Sequence, residues 1–306
     1  MIRPPALGPG ARIALVAPAG PLAEGAVDRA AERVRGWGFE PVVGEHARER
    51  RGYLAGSDAQ RAGDFNAALR DDSIDAIWCL RGGYGVMRIL DALDWEALAR
   101  RPRPVIGFSD NTALHLAIRR HHVVSFHAPH PATVELNDFS ADGVLRALTS
   151  PEPAGILPFP PGAPYAEPIA GGVAEGPLVG GNLSLVAATL GTPYAVQAEG
   201  AILFLEEVGE AAYRIDRLLS QLRLAGVLSS VAGVALGAFS EVPDEAEEHA
   251  TPVDSVLRDR LGDLGVPVVS GLPFGHVDDN WTLPVGVRAR LDAGEGTLEL
   301  LESGVE

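Results

Sequence analysis

The stretch VIGFSDNT, residues 105–112, joins a short apolar run to the start of a helical pattern. Residues 104–108 have the composition of a buried strand, and helical spacing continues over residues 111–120. Ser109 is therefore predicted at a sharp strand-to-helix turn, with Gly107 two residues earlier, where a side chain would crowd the turn. This pattern is typical of a nucleophile elbow, which exposes a hydroxyl beside backbone N–H groups. The same letters also form an ordinary helix-capping sequence, and Gly-x-Ser-x-Gly lacks its second glycine here.

The segments on either side of this turn alternate between strand and helix patterns. Strands alternating with helices predict parallel βαβ units and an open α/β sheet in the first half of the chain. The predicted strands are residues 12–17, 40–43, 76–80 and 104–108, and the predicted helices are residues 26–37, 59–69, 86–93 and 111–120.

Residues 150–168 are dense in proline, which excludes a helix or a central strand. We predict a linker here, between an N-terminal α/β domain of residues 1–149 and a C-terminal mixed α/β, β-rich domain of residues 169–306. In the second domain the predictions are helices over 180–190 and 213–224, strands over 201–205, 231–239 and 268–271, a solvated acidic loop over 241–249, and a closing hairpin of 287–291 with 297–301.

The amino-acid composition limits the binding partners and the cellular compartment that we expect for this protein. The formal net charge of −16 disfavours binding to nucleic acid and to anionic membrane surfaces. The N-terminus lacks a signal-peptide pattern, and no apolar stretch approaches the roughly 20 residues that span a bilayer. The single cysteine, Cys79, allows no intramolecular disulfide and fits a reducing compartment. We therefore expect a cytoplasmic protein.

Three further segments contain residues suited to catalysis. RGGYG at 81–85 follows a predicted strand, and its N–H groups could bind an oxyanion or a phosphate, although Arg88 breaks the dinucleotide pattern Gly-x-Gly-x-x-Gly. Glu206 and Glu207 end a predicted strand, where adjacent side chains point to opposite faces. His276 follows a glycine and suits a general base.

Two other candidates are weaker. Cys79 lies inside an apolar run, where a thiol is usually inert. His127 and His130 are spaced like metal ligands, but Pro129 argues against a helix and no third ligand is apparent. We therefore predict no metal site.

Taken in order, these motifs resemble the LD-carboxypeptidase family, which includes muramoyltetrapeptide carboxypeptidases and microcin C immunity peptidases. The resemblance runs over almost the whole chain and is far more specific than any one motif. Its landmarks are residues 13–18, RGGYG at 81–85, GFSD at 107–110, GGNLS at 180–184, LEE at 205–207, YRIDR at 213–217 and GH at 275–276.

The resemblance implies a Ser–Glu–His triad in a cleft between the two domains. Ser109 matches the nucleophile, His276 the general base and Glu206 the carboxylate, although the family pattern Glu-Asp is Glu-Glu here, so that Glu207 stays an alternative. Backbone N–H groups of Asp110 and Gly83 would form the oxyanion hole. No metal or organic cofactor is implied.

The implied substrate is a murein tetrapeptide, cut before its terminal D-alanine during cytoplasmic recycling of cell-wall peptides by a homodimer. Its third residue, lysine or diaminopimelate, stays open. A carboxypeptidase must bind a free carboxylate, for which arginine is best suited. The candidates are Arg81, Arg214 and Arg217, of which the last two could equally form surface ion pairs.

Two alternatives remain. An immunity-type peptidase acting on an acylated nucleotide would share the triad but would stack the base on aromatic residues, and residues 208–212 contain no tryptophan. A non-enzymatic ligand-binding α/β protein would keep the fold and hold Ser109 far from His276.

Overall fold

The computed structural model describes residues 1–133, 136–163, 166–243 and 251–306, which divide into two units. Unit 1 contains Met1–Glu152, Thr282–Gly286 and Ser303–Glu306, and unit 2 contains Pro153–Trp281 and Val287–Glu302. Two short C-terminal segments thus belong to unit 1, although the sequence prediction placed them in the second domain. The domain bounds of residues 1–149 and 169–306, with a linker over 150–168, stay a prediction.

The described residues form fourteen strands and eight α-helices, besides short 3₁₀ turns. The strands are β1 (Arg12–Val16), β2 (Glu40–Val43), β3 (Ala76–Cys79), β4 (Val105–Gly107), β5 (Ser125–His127), β6 (Gly155–Ile156), β7 (Glu167–Ala170), β8 (Val173–Asn182), β9 (Ile202–Val208), β10 (Gly233–Ser240), β11 (Val268–Ser270), β12 (Leu283–Val285), β13 (Arg288–Asp292) and β14 (Thr297–Leu300). The α-helices are α1 (Ala26–Gly36), α2 (Asp58–Arg70), α3 (Trp95–Arg100), α4 (Thr112–Arg120), α5 (Asp138–Thr149), α6 (Leu183–Ala188), α7 (Ala212–Leu224) and α8 (Val253–Leu261).

Unit 1 is built on a sheet with the strand order β12-β5-β4-β3-β1-β2. All neighbours are parallel except β12, which pairs antiparallel with β5. The strands β1, β3 and β4 are buried along almost their whole length, as expected of parallel strands covered on both faces. The predicted open α/β sheet is therefore confirmed.

Unit 2 contains a mixed sheet with the order β6-β14-β13-β8-β9-β10-β11-β7. Its centre, β8 to β11, is parallel, and antiparallel strands flank it on both sides. Helices α6, α7 and α8 bury an apolar face against the central strands, and the core includes Leu203, Leu205, Leu219, Val234 and Leu257. The predicted closing hairpin is present as β13 and β14. The predicted mixed C-terminal domain is confirmed in its fold class.

Two predicted helices are wrong in part. Residues 86–93 contain two 3₁₀ turns, Val86–Arg88 and Leu90–Ala92, in which backbone N–H groups bond to the carbonyl oxygen three residues earlier instead of four. The predicted helix over residues 180–190 begins late, since Gly180 still belongs to β8. A Cβ at Gly180 would lie 1.9 Å from the carbonyl oxygen of Phe204, so glycine here permits the close approach of β8 and β9.

Part of the predicted acidic loop, residues 244–249, lies outside the described residues. Among the helices that are described, none is long and apolar enough to cross a membrane.

Candidate active site

Ser109 follows β4 with a φ of 62°, a left-handed conformation that non-glycine residues rarely adopt. A 3₁₀ turn over Ser109–Asn111 and then α4 follow it. Neither helix start has a side-chain capping bond, so Ser109 does not act as a cap. Backbone strain of this kind concentrates at functional sites, and a strained strand-to-helix turn is the geometry of a nucleophile elbow.

Two glycines make room for this turn. A Cβ at Gly82 would lie 2.8 Å from Ser109 Cβ and 2.9 Å from Ser109 Oγ. A Cβ at Gly107 would lie 3.1 Å from both Cys79 Cβ and Asn111 Cγ. The packing therefore leaves no room for a side chain at Gly82, and a side chain at Gly107 would crowd the turn, as the sequence pattern predicted.

The loop after β3 lies beside the serine turn and is bonded to it. Asp110 is buried, and its Oδ2 accepts a hydrogen bond from the Val86 N–H at 2.9 Å. Burial raises the pKa of Asp110, and backbone bonds from this loop partly oppose the rise. Gly83 has a φ of 109°, which glycine tolerates without strain. The bonded loop places Gly83 and Asp110 in one neighbourhood, and their role as an oxyanion hole stays a prediction.

Arg61 on α2 is a residue of this neighbourhood that the sequence prediction missed. Its side chain is fully buried and donates to the carbonyl oxygens of Pro18, after β1, and Gly85, after β3, the latter at 2.9 Å. It also pairs with Asp58. A signal existed, because Arg61 lies on the apolar face of α2, four residues before Phe65, where an unsatisfied charge would be costly.

Two histidines near the serine turn bond to backbone or to neighbouring side chains. His115 is fully buried, with Nε2 at 2.7 Å from the Gly107 carbonyl oxygen and Nδ1 at 2.9 Å from Ser125 Oγ. Burial lowers the pKa of His115 to about 4, so the ring is neutral. His130 Nδ1 lies 3.0 Å from the Cys79 carbonyl oxygen. No three metal-ligating side chains converge within the described parts of the chain.

In unit 2, Glu206 and His276 form a close pair. Glu206 Oε2 lies 2.7 Å from His276 Nδ1, and the Glu206 side chain is fully buried while the ring is 22% exposed. Because a carboxylate only accepts hydrogen bonds, Nδ1 is the donor to Glu206, and in a neutral imidazole with this tautomer Nε2 is the acceptor nitrogen. A Cβ at Gly275 would lie 2.7 Å from Glu206 Cβ, so glycine is needed beside this pair.

Glu207 faces the other side of β9 and has different partners. Its carboxylate accepts bonds from Asn182 Nδ2 at 2.8 Å, from Ser184 N–H at 2.8 Å and from Ser184 Oγ at 2.7 Å. Burial raises the pKa of Glu207, and these bonds oppose the rise. The two adjacent carboxylates thus separate as strand geometry predicts, and it is Glu206 that contacts the histidine.

The three candidate arginines make different contacts with the rest of the protein. Arg81 donates to the Pro21 carbonyl oxygen at 2.6 Å. On α7, the guanidinium groups of Arg214 and Arg217 lie 5.8 and 5.4 Å from the ring centroid of Tyr213, which is 53% exposed. Arg214 also pairs with Glu210 at 3.3 Å.

An α/β protein with a serine at a strained strand-to-helix turn and a buried Glu–His pair has the components of a serine hydrolase. Residues 13–128 match the LD-carboxypeptidase N-terminal domain, and residues 175–291 match the LD-carboxypeptidase C-terminal domain. The chain belongs to the LD-carboxypeptidase family, as its motifs predicted.

Individual relatives match over nearly their full lengths. "Putative carboxypeptidase SCO6489" of Streptomyces coelicolor is 46% identical, with 98% of this chain and 96% of the relative covered. The murein tetrapeptide carboxypeptidase of Pseudomonas aeruginosa is 34% identical, with 92% and 93% covered. A solved structure of the wild-type microcin C7 self-immunity protein MccF, 23% identical, superposes with a TM-score of 0.91 over 100% of both chains, which shows a shared fold.

Proposed function

We propose that this protein is a serine carboxypeptidase that cleaves the L,D-peptide bond before the terminal D-alanine of murein tetrapeptides. The observation that carries the proposal is the buried Glu206 carboxylate at 2.7 Å from His276 Nδ1, with the ring partly exposed. A buried acid that orients a histidine is the arrangement by which general bases are held in one tautomer. Family membership and the similarity to a murein tetrapeptide carboxypeptidase support the choice of substrate.

In the proposed mechanism, Ser109 from unit 1 attacks the peptide carbonyl while His276 Nε2 accepts its proton. Glu206 stabilises the imidazolium that results, and the N–H groups of Gly83 and Asp110 donate to the oxyanion. His276 then protonates the leaving D-alanine amine. Water, activated by the same base, hydrolyses the acyl-enzyme and restores the free serine.

The carboxylate of the terminal D-alanine needs a cationic partner. We favour Arg217, since the structure gives Arg214 an acidic neighbour in Glu210 and gives Arg81 a backbone carbonyl oxygen. The proposal also includes a cytoplasmic role in recycling cell-wall peptides and a homodimeric assembly, for which light scattering of the purified protein is the direct test.

The decisive experiment follows D-alanine release from L-Ala-γ-D-Glu-meso-diaminopimelate-D-Ala by mass spectrometry. Wild-type protein should release it, Ser109→Ala should not, and Ser184→Ala should serve as a matched serine control, because Ser184 bonds to Glu207 rather than to the proposed triad. The lysine-containing tetrapeptide and the pentapeptide define specificity. If the wild type releases no D-alanine, the murein assignment is wrong, and an aminoacyl-sulfamoyl adenylate tests the immunity-type alternative. Inertness towards both would favour a non-enzymatic binding protein.

A further inference from the structure

The buried side chain of Asn280 makes two hydrogen bonds to Gly275, the residue that precedes His276. Asn280 is 2% exposed; its Nδ2 donates to the Gly275 carbonyl oxygen at 2.7 Å, and its Oδ1 accepts from the Gly275 N–H at 3.1 Å. The two bonds engage the peptide groups on both sides of Gly275 Cα. An amide supplies a donor and an acceptor on one planar group, whereas an ionised carboxylate could accept the bond from the Gly275 N–H but could not donate to the Gly275 carbonyl oxygen.

Gly275 is a position where the backbone needs such support. Its φ of 108° is a conformation open mainly to glycine, and glycine has more backbone freedom than any other residue. Its Cα also lies against Glu206, where a Cβ would approach Glu206 Oε2 to 2.8 Å. A rotation at Gly275 would therefore move the His276 ring relative to its carboxylate partner.

The neighbouring carbonyl groups are held as well. The Phe274 oxygen accepts a bond from the Ala238 N–H at 2.9 Å, and the His276 oxygen accepts one from Ser240 Oγ at 3.1 Å. Asn280 supplies the middle bond of this series, to the carbonyl oxygen of Gly275. The backbone on both sides of the His276 ring is thus fixed by β10 and by Asn280.

We infer that Asn280 is a positioning residue for His276: through Gly275 it holds the imidazole with Nδ1 directed at Glu206, so that Nε2 is the nitrogen that accepts the proton of the serine in the proposed reaction. The inference rests on the proposed function, because it gives Asn280 a purpose in the reaction. Asn280 acts through the backbone and is not itself a catalytic residue.

The test compares Asn280→Ala with Asn66→Ala. Asn66 is a matched control, because its Nδ2 donates to the Ala92 carbonyl oxygen at 2.8 Å and its Oδ1 accepts from the Asp94 N–H at 2.8 Å. Asn280→Ala should lower kcat on the tetrapeptide about 100-fold, the usual effect of a misplaced catalytic group, with little change in KM. Asn66→Ala should leave both constants unchanged.

A second measurement does not depend on turnover. The proton shared by His276 Nδ1 and Glu206 should give a low-field proton NMR resonance that is absent in His276→Gln. We expect it to broaden or vanish in Asn280→Ala and to persist in Asn66→Ala. If the wild type releases no D-alanine, the proposed substrate is wrong, and this resonance alone still decides the inference.

Two milder variants keep the test usable if Asn280→Ala does not fold. Asn280→Asp retains the acceptor for the Gly275 N–H and loses the donor, so its kcat and resonance should fall towards those of Asn280→Ala. Ser240→Ala removes one bond to the His276 carbonyl oxygen and should lower kcat about 3- to 10-fold, the equivalent of one neutral hydrogen bond. A wild-type resonance and wild-type kcat in Asn280→Ala, or in Asn280→Asp if the first variant is unfolded, would overturn the inference.

Discussion

Replacing Glu206 by glutamine changes the charge of the Glu–His pair and almost nothing else. The side chain is fully buried, Oε2 lies 2.7 Å from His276 Nδ1, and Oε1 has no hydrogen-bond partner among the described residues. Glutamine has the same shape and can still accept a bond from Nδ1. The ring can therefore stay in place, while the imidazolium formed during the reaction loses its negative partner.

The magnitude follows from the separation of the charges. With about 4 Å between the centres of the carboxylate and the ring, and an effective dielectric constant of about 20, the interaction is worth about 4 kcal/mol. Since about 1.36 kcal/mol corresponds to a factor of ten in rate, kcat should fall about 1,000-fold. The measurement is D-alanine release under saturating tetrapeptide, so that substrate affinity does not enter.

Glu207→Gln is the matched control, since it changes the adjacent buried carboxylate on the opposite face of β9. This variant weakens bonds to Asn182 and Ser184 and relieves the burial of a charge, so we expect a stability loss of about 1–3 kcal/mol and a nearly normal kcat. The reasoning fails if the two variants lose equal activity, or if Glu206→Gln keeps the kcat of the wild type.

Three further outcomes are expected. Gly82→Ala should reduce kcat by about 100-fold while the protein stays folded, because the added Cβ would displace the Ser109 hydroxyl. Gly63→Ala on α2 is the control: no atom lies within 4 Å of its added Cβ, so this variant should keep full activity and gain slightly in thermal stability. The hydrogen bond that the His46 ring donates to Asp64 raises the pKa of His46, so this pair contributes stability that is complete below the unfolded histidine pKa and is lost as the pH rises through the folded pKa. The Tm deficit of Asp64→Asn in thermal melts should therefore be largest below about pH 6.5 and shrink as the pH rises above it. Burial raises the pKa of the Cys79 thiol, so iodoacetamide should leave activity intact and label the residue only after denaturation, whereas rapid inactivation of native protein would point to a cysteine nucleophile.

Much of the parallel sheet of unit 1 could be predicted because its strands are short apolar runs that end in glycine or polar residues. The predicted residues 40–43 coincide with β2, and 26–37 exceed α1 by one residue. Strand β5 was missed because Phe126 is its only apolar residue, between Ser125 and His127, and β12 because the chain returns to unit 1 from far along the sequence. The spacing of apolar residues within a segment does not show that the segment pairs with a distant strand.

The partners of the two adjacent glutamates could be predicted only in part. Strand geometry required Glu206 and Glu207 to face apart, which the structure bears out. Pairing of β9 between β8 and β10 determines which of the two glutamates contacts His276, and this pairing joins segments that are distant in the sequence. Asn280 gave no sequence signal at all, because its two bonds to Gly275 become visible only when the loop between them is folded.

The same physical rule places the polar groups in each unit. In parallel sheets, the carboxyl ends of the strands collect at one edge, where backbone N–H groups and loop side chains are no longer used by the ladder. In unit 1 this edge bears Gly82 after β3 and Ser109 after β4, and in unit 2 it bears Glu206 on β9 and Ser240 at the end of β10. Gly82 and Gly275 follow from this crowding, since a Cβ at Gly82 would strike Ser109 and a Cβ at Gly275 would strike Glu206. A substitution that adds a side chain at Gly275 should therefore damage the Glu–His pair by displacing Glu206 sterically. The loss of Asn280 should damage the same pair by a different cause, because it releases the backbone of Gly275.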